Sequence, residues 1–162
     1  RFSEDLDVYL KKDINKLDIL FSNLEKKGFV IEKKKIAENS LYSKLKLNRN
    51  YIRFEAIFKH KDGILKDYET SEGNFINVYT LTAEELINGK INAYLNRLKI
   101  RDLYDIFFLL KYVKDNNMIK NNLQKLVKNF KKPVDENELK ILILEGLTPS
   151  AEKMLDYIKN HI

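Results

Sequence analysis

The sequence opens with RFSEDLDVYL, residues 1–10, and this stretch is the starting point for interpreting the rest of the chain. Apolar and polar residues alternate through it, with one interruption at Glu4, and the pattern predicts a β-strand over residues 2–10. Side chains two residues apart on a strand share a face, so Asp5 and Asp7 are expected to project together, about 7 Å apart along the backbone. Converging carboxylates repel each other unless a cation lies between them. The pair therefore predicts a metal site; the alternative is a solvated acidic strand edge, because a bare D-x-D pattern is common by chance.

Beyond this strand, the periodicity predicts a mixed α+β half followed by an all-helical half. Asp13 is expected to cap a helix that runs to about Lys27, and Thr82 with Glu85 is expected to form a capping box at the start of another. Thr148 is expected to cap the last helix. Further strands are predicted over residues 29–36, 41–47, 51–59 and 75–79, and further helices over residues 82–97, 100–113, 119–130, 135–144 and 149–160.

A third carboxylate lies in the strand predicted over residues 51–59. Phe54 and its alternate neighbours are apolar and form one face, whereas Arg53 and Glu55 lie on the other. The strand is apolar enough to be interpreted as buried, and an unpaired buried glutamate is costly, so a metal ion beside Glu55 would relieve the cost. An ion pair with a neighbouring Lys or Arg on a half-exposed sheet face is the alternative.

The helical half carries a second cluster of charged residues. Lys90 and Arg97 are seven residues apart and share a helix face, and Asp102 and Asp105 are neighbours on the next helix. A lysine that reaches phosphate, oriented by acidic residues, is what a nucleoside triphosphate site needs. Ordinary surface pairing on amphipathic helices is the alternative.

Composition limits the kinds of site that the chain can hold. Among its 162 residues there is no cysteine and there are only two histidines, so a metal would be held by oxygen atoms, which favours Mg²⁺ or Mn²⁺. The net charge of +6 is consistent with a polyanionic partner such as RNA or a nucleotide, although lysine-rich composition can also reflect a biased genome. No apolar run reaches the ~18 residues of a membrane helix, and no secretory signal is visible, so a cytoplasmic protein without membrane contact is expected.

Three segments together resemble the AbiEii/AbiGii toxin family of nucleotidyltransferases. Residues 1–8 resemble its R-[FY]-S-x-D-[IL]-D motif, and residues 52–56 resemble the later strand that carries a third acidic residue. Residues 80–110 resemble its E-E-x(4)-K-x-x-A-x(3)-R-x(3)-R-D-x-x-D signature. The resemblance spans roughly residues 1–112, and the order and spacing of three motifs are far more specific than any one of them.

The resemblance implies a mixed-sheet nucleotidyltransferase core in residues 1–80 and a C-terminal helical bundle in residues 81–162 that completes the active site. It implies transfer of a nucleoside monophosphate from a nucleoside triphosphate to RNA, with tRNA among the candidates, or to a protein, in a toxin–antitoxin or phage-defence system with a cognate antitoxin. The implied metal ligands are Asp5, Asp7 and Glu55, and the implied catalytic residues are these three with Lys90, Asp102 and Asp105. The implied nucleotide-binding residues are Ser3, Lys90, Arg97 and Arg101.

One departure from the family pattern leaves other functions open. The family has a Gly-Gly-Thr or Gly-Ser turn upstream of the acidic pair, whose amides hold phosphates, and we expect that turn to precede Arg1 in a longer protein. The alternatives are a catalytically incomplete module that binds RNA or protein, and a metal-dependent nuclease. A basic region after the signature, from Lys111 to Lys132, is a candidate groove for an RNA backbone or else a solvated helical surface.

Overall fold

The computed structural model describes residues 5–70, 72–143, 146 and 148–162. Within these residues the chain is α+β, with a mixed sheet, a separate hairpin and six α-helices. The chain divides between Asp62 and Gly63 into two compact units. The predicted division into functional domains at residue 80 stays a prediction.

The first unit is a four-stranded sheet with one helix. Its elements are β1 (Asp5–Leu10), α1 (Ile14–Lys26), β2 (Val30–Ile36), β3 (Ser40–Leu47) and β4 (Asn50–Phe58). The strand order is β1-β4-β3-β2, in which β1 runs parallel to β4 and the other neighbours are antiparallel. The carboxylate of Asp13 accepts a hydrogen bond from the Lys16 amide at 3.1 Å, so the predicted cap of α1 is confirmed.

One face of this sheet is apolar and covered, because side chains alternate along each strand. Leu17 and Phe21 of α1 form a buried cluster with residues from β3 and β4: Leu41, Leu45, Phe54 and Ala56. The alternate residues of β3 and β4, such as Lys44, Arg53 and Glu55, project from the opposite face, which is largely polar. Polar side chains at these alternate strand positions therefore share one surface.

The second unit joins a hairpin to the remaining helices. Its elements are β5 (Ile64–Glu69), β6 (Phe75–Thr80), α2 (Ala83–Arg97), α3 (Ile100–Leu109), α4 (Asn117–Lys128), α5 (Leu139–Leu142) and α6 (Ala151–Lys159). Strand β5 was not predicted, because the charged residues of ILKDYE hide any apolar alternation. The predicted capping box of α2 is confirmed by two reciprocal hydrogen bonds at 3.2 Å between Thr82 and Glu85.

The start of α6 differs from the prediction. Ser150, not Thr148, is the N-cap, and its hydroxyl accepts a hydrogen bond from the Lys153 amide at 3.3 Å. The carboxylate of Glu136, distant in sequence, accepts a hydrogen bond from the Ala151 amide at 2.7 Å. Because a tertiary contact satisfies the first free amide of the helix, the helix begins after Ser150.

The helices of the second unit share one core. Ile87 and Ile91 of α2 lie in a fully buried cluster with Ile106 of α3, Leu123 of α4 and Ile158 of α6. This cluster holds α2 and α3 side by side, and their charged residues are positioned by it. In the described part of the chain no helix combines the length and apolarity needed to cross a membrane.

Candidate active site

The three predicted metal-binding carboxylates lie on the polar face of the sheet in the first unit. In the parallel pair of β1 and β4, Asp5 is in register with Arg53, and Asp7 is in register with Glu55. The side chains of these four residues therefore project from the same face of two adjacent strands. The structure brings Asp7 and Glu55 side by side, as the parallel pairing requires.

The environment of Glu55 differs from the prediction of a buried strand. Phe54 and Ala56 are buried, but Arg53, Glu55 and Ile57 are exposed, so β4 is buried on one face only. The reason is that α1 covers a single face of the sheet. Glu55 therefore does not need a metal to offset burial, and any metal there would bind to a water-accessible carboxylate.

Arg53 was not singled out from the sequence, yet it contacts the first carboxylate. Its Nε lies 2.5 Å from Oδ1 of Asp5 in an ion pair. The guanidinium group thus offsets the negative charge of Asp5. Across the described ranges, no three or more His, Cys, Asp and Glu side chains are close enough together to hold a metal ion.

A shallow pocket of about 370 Å³ opens beside the two registered carboxylates. Asp7 and Glu55 contribute its charged lining, and Tyr9, Tyr42 and Ile57 contribute its aromatic and apolar lining. A pocket that places carboxylates next to flat aromatic surfaces has the chemistry to hold a cation together with a ring-containing ligand.

The second cluster lies between α2 and α3 in the second unit. The side chain of Asp102 is 0% exposed, and it accepts two hydrogen bonds of 2.7 Å from Nε and Nη2 of Arg97. Nζ of Lys90 lies 2.8 Å from Asp105 and 3.6 Å from Asp102. The hydrogen bonds to Asp102 raise the pKa of Arg97 more than its partial burial lowers it. The cluster is therefore a chain of alternating charges in which one buried carboxylate orients two cations.

The remaining predicted nucleotide-binding residues are Arg101 and Ser3. Arg101 has no ion-pair partner within the described ranges, and Ser3 lies outside them.

Glu84 is buried, and its Oε1 accepts hydrogen bonds from the amides of Lys114 and Asp115 at 2.7 and 3.2 Å. Burial raises the pKa of Glu84, but these hydrogen bonds outweigh it and lower the pKa to about 2. Glu84 therefore ties the start of α2 to the loop before α4.

A further buried carboxylate, that of Asp135, was predicted only as the start of a helix and not as a site residue. It accepts a hydrogen bond from the Ile100 amide at 2.7 Å and pairs with Lys99 at 3.2 Å. Burial raises the pKa of Asp135, and these two contacts lower it below its usual value. Asp135 thereby caps α3 from a distance and positions the helix that carries Asp102 and Asp105. Only an isolated Asp after Pro133 and Val134 marks it in the sequence, which is too weak a signal.

Comparison of the sequence with protein-family models gave a match that covers both charged clusters. The model described as nucleotidyl transferase AbiEii toxin, type IV TA system, matches residues 1–158. Neither a search of curated proteins nor a search of solved structures returned a match. The family match extends past the resemblance recognised in the sequence, which ended near residue 112, and includes the C-terminal helices. Since it covers nearly the whole chain, both charged clusters included, the protein belongs to the AbiEii family of nucleotidyltransferase toxins of type IV toxin–antitoxin systems.

Proposed function

We propose that this protein is a metal-dependent nucleotidyltransferase. It transfers a nucleoside monophosphate from a nucleoside triphosphate to an RNA, with tRNA among the candidates, or to a protein, and acts in the cytoplasm as the toxin of a toxin–antitoxin or phage-defence system. Family membership supports this proposal, and the observation that carries it is the register of Asp7 with Glu55 on an open sheet face beside Asp5. The fold we propose for the whole chain is a nucleotidyltransferase core with a C-terminal helical bundle.

The reaction exchanges one phosphorus–oxygen bond for another. A hydroxyl oxygen of the acceptor forms a bond to the α-phosphorus, the bond from that phosphorus to the β-phosphate oxygen breaks, and pyrophosphate leaves. The hydroxyl proton passes to a base. The protein mainly has to position the two substrates and stabilise the charge that develops on the phosphate oxygens.

The carboxylates on the sheet fit a divalent cation by their chemistry. Asp5, Asp7 and Glu55 offer only oxygen donors, which Mg²⁺ and Mn²⁺ prefer, and Asp7 and Glu55 are adjacent. Asp5 is engaged by Arg53, so it joins the other two only after that ion pair opens. Bound there, the cation would neutralise phosphate charge and orient the attacking hydroxyl.

We assign the helical cluster to the triphosphate. Lys90 is 29% exposed, so its ammonium group can exchange one carboxylate contact for a phosphate oxygen. Asp102 is fully buried between Arg97 and Lys90, which suits an orienting group, whereas the better-exposed Asp105 suits the possible base. Arg97, Arg101 and Ser3 are assigned as further phosphate contacts.

Metal binding is the first test, because it does not depend on the acceptor. Titration of Mn²⁺ by electron paramagnetic resonance should give a bound ion in the wild type and weaker binding in Asp7→Asn and Glu55→Gln. The matched control is Glu25→Gln, which removes one exposed carboxylate from α1 of the same unit. Equal Mn²⁺ binding in all four proteins would show that these carboxylates are not the metal site.

Incubation of tRNA with each of the four triphosphates and Mg²⁺ tests the reaction itself. Extended RNA in the wild type, lost in Asp7→Asn, supports nucleotidyl transfer to RNA. Shortened RNA would instead support a metal-dependent nuclease. If the protein binds metal and nucleotide, leaves the RNA unchanged and transfers the label to a protein, a protein acceptor is supported. If neither RNA nor protein is modified, a binding module is favoured.

A further inference from the structure

The polar face of the sheet continues beyond the carboxylates into a surface of basic and aromatic residues. We call this surface the basic sheet face; it consists of Lys33, Lys35, Tyr42, Lys44, Lys46, Tyr51 and Arg53. On β3 and β4 these residues alternate with buried or half-buried ones, and on β2 Lys33 and Lys35 are in register with Lys44 and Tyr42. All seven therefore project from the same side of the sheet as Asp7 and Glu55.

Cations are placed side by side on this face. Lys33 is in register with Lys44, and Lys44 is in register with Arg53, so three positive charges lie across adjacent strands. Like charges directly opposite each other destabilise a sheet. Two of the three are compensated, since Lys44 pairs with Glu32 at 2.9 Å and Arg53 pairs with Asp5.

The remaining lysines of the face are uncompensated. Lys33, Lys35 and Lys46 form no ion pair with any residue in the described ranges, and Lys33 and Lys35 are exposed. The β2–β3 part of the face carries four lysines against Glu32 alone. A polyanion bound on this surface would offset the repulsion between these lysines.

Aromatic rings lie between these cations. The ring of Tyr51 is 42% exposed, with Nζ of Lys44 at 4.3 Å and Nζ of Lys46 at 5.5 Å from its centroid. Nζ of Lys33 lies 5.5 Å from the centroid of Tyr42, which lines the pocket beside Glu55. Lysines that track a phosphate backbone, together with rings on which bases stack, are the two components of a single-strand binding surface.

We propose that the basic sheet face binds a single-stranded RNA segment and leads its end to the pocket lined by Asp7 and Glu55. Register carries this inference: Lys35, Tyr42, Glu55 and Asp7 form one row across the four strands, from the basic edge to the carboxylates. Phosphates contact the lysines, one base stacks on Tyr51, and the terminal nucleotide lies beside Tyr42. The inference rests on the proposed function, and it specifies RNA as the acceptor.

The test is binding of a fluorescein-labelled single-stranded RNA, measured by anisotropy between 50 and 200 mM salt without metal or nucleotide. Three uncompensated lysines predict a slope of about −2 in log affinity against log salt, which is a loss of roughly twentyfold over this range. The triple variant Lys33→Gln, Lys35→Gln, Lys46→Gln should abolish most of that slope. Tyr51→Ala should weaken binding at least about fivefold, by removal of one stacked base.

The matched control removes the same charge from α4, through Lys120→Gln, Lys125→Gln and Lys128→Gln, which are exposed and lie in the basic region after the signature. Circular dichroism verifies that every variant is folded. Loss of binding only in the sheet variants supports the proposal. The proposal is overturned if RNA binding is lost only in the α4 variant, or equally in both triple variants. It is also overturned if Tyr51→Ala binds RNA with unchanged affinity, or if the protein prefers single-stranded DNA of the same sequence.

The outcome separates the two proposals because binding is measured without catalysis. RNA binding through the sheet without nucleotide transfer would leave the surface assignment standing and refute the proposed activity. If the protein transfers nucleotide to a protein and does not bind RNA on this face, the proposed activity stands and the surface assignment is refuted.

Discussion

Replacement of Asp102 by Asn is expected to destabilise the protein, although it only replaces one carboxylate oxygen with an amide nitrogen. The carboxylate is fully buried and accepts two hydrogen bonds from Arg97 at 2.7 Å. A hydrogen bond to a charged group contributes about 1.5–3 kcal/mol, so the two would contribute about 3–6 kcal/mol. Because Arg97 is 44% exposed, it regains hydration when released, and we halve the figure to about 1.5–3 kcal/mol.

Urea unfolding followed by circular dichroism measures this loss in the free energy of unfolding. The control is Asp156→Asn, since that carboxylate is 72% exposed and pairs with Lys159 on the same helix at 2.9 Å. Its removal should cost less than about 0.5 kcal/mol. If Asp102→Asn is no less stable than Asp156→Asn, the buried carboxylate does not hold α2 and α3 together, and the orienting role assigned to it fails.

Three further predictions concern contacts of α2. Glu84→Gln should be less stable than wild type, by the largest amount above pH 4.5, and this difference should vanish as the pH falls through about 2. The reason is that the folded-state pKa of Glu84 is depressed, and unfolding midpoints of both proteins across this pH range measure the difference. Thr82→Ala should cost about 1 kcal/mol in urea unfolding through loss of the capping box with Glu85, and Thr82→Ser should restore most of it. Tyr94→Phe should cost about 1 kcal/mol, because its hydroxyl donates to the Lys131 carbonyl at 2.6 Å, and thermal melts should show a lower midpoint.

The carboxylate face could be predicted from the sequence in part. That Asp5 and Asp7 share a face follows from the two-residue period of a strand, and the same period separates Glu55 from Phe54. The pairing of β1 with β4 does not follow, because parallel register joins residues far apart in the chain and depends on packing of the whole sheet. For the same reason the role of Arg53 was not predicted: the sequence placed it on the face of Glu55, but its contact with Asp5 exists only through that register.

Helix starts show the same limit at a smaller scale. The caps at Asp13 and Thr82 are local, since each side chain reaches an amide three residues away, and both were predicted. The start of α6 depends also on Glu136, which lies 15 residues before Ala151, and there the prediction was wrong. Strand β5 was missed because its pairing with β6, not its own composition, makes it a strand.

By itself, the sequence determined the family and the α+β class and singled out the candidate site residues, because motif order, side-chain type and local periodicity are properties of the chain alone. The tertiary structure decided which of those residues meet. It turned Asp5 toward Arg53, set Asp7 beside Glu55, buried Asp102 between two cations and aligned the lysines of the basic sheet face. Each of these contacts joins separate elements of the chain, and only packing and strand register bring such elements together.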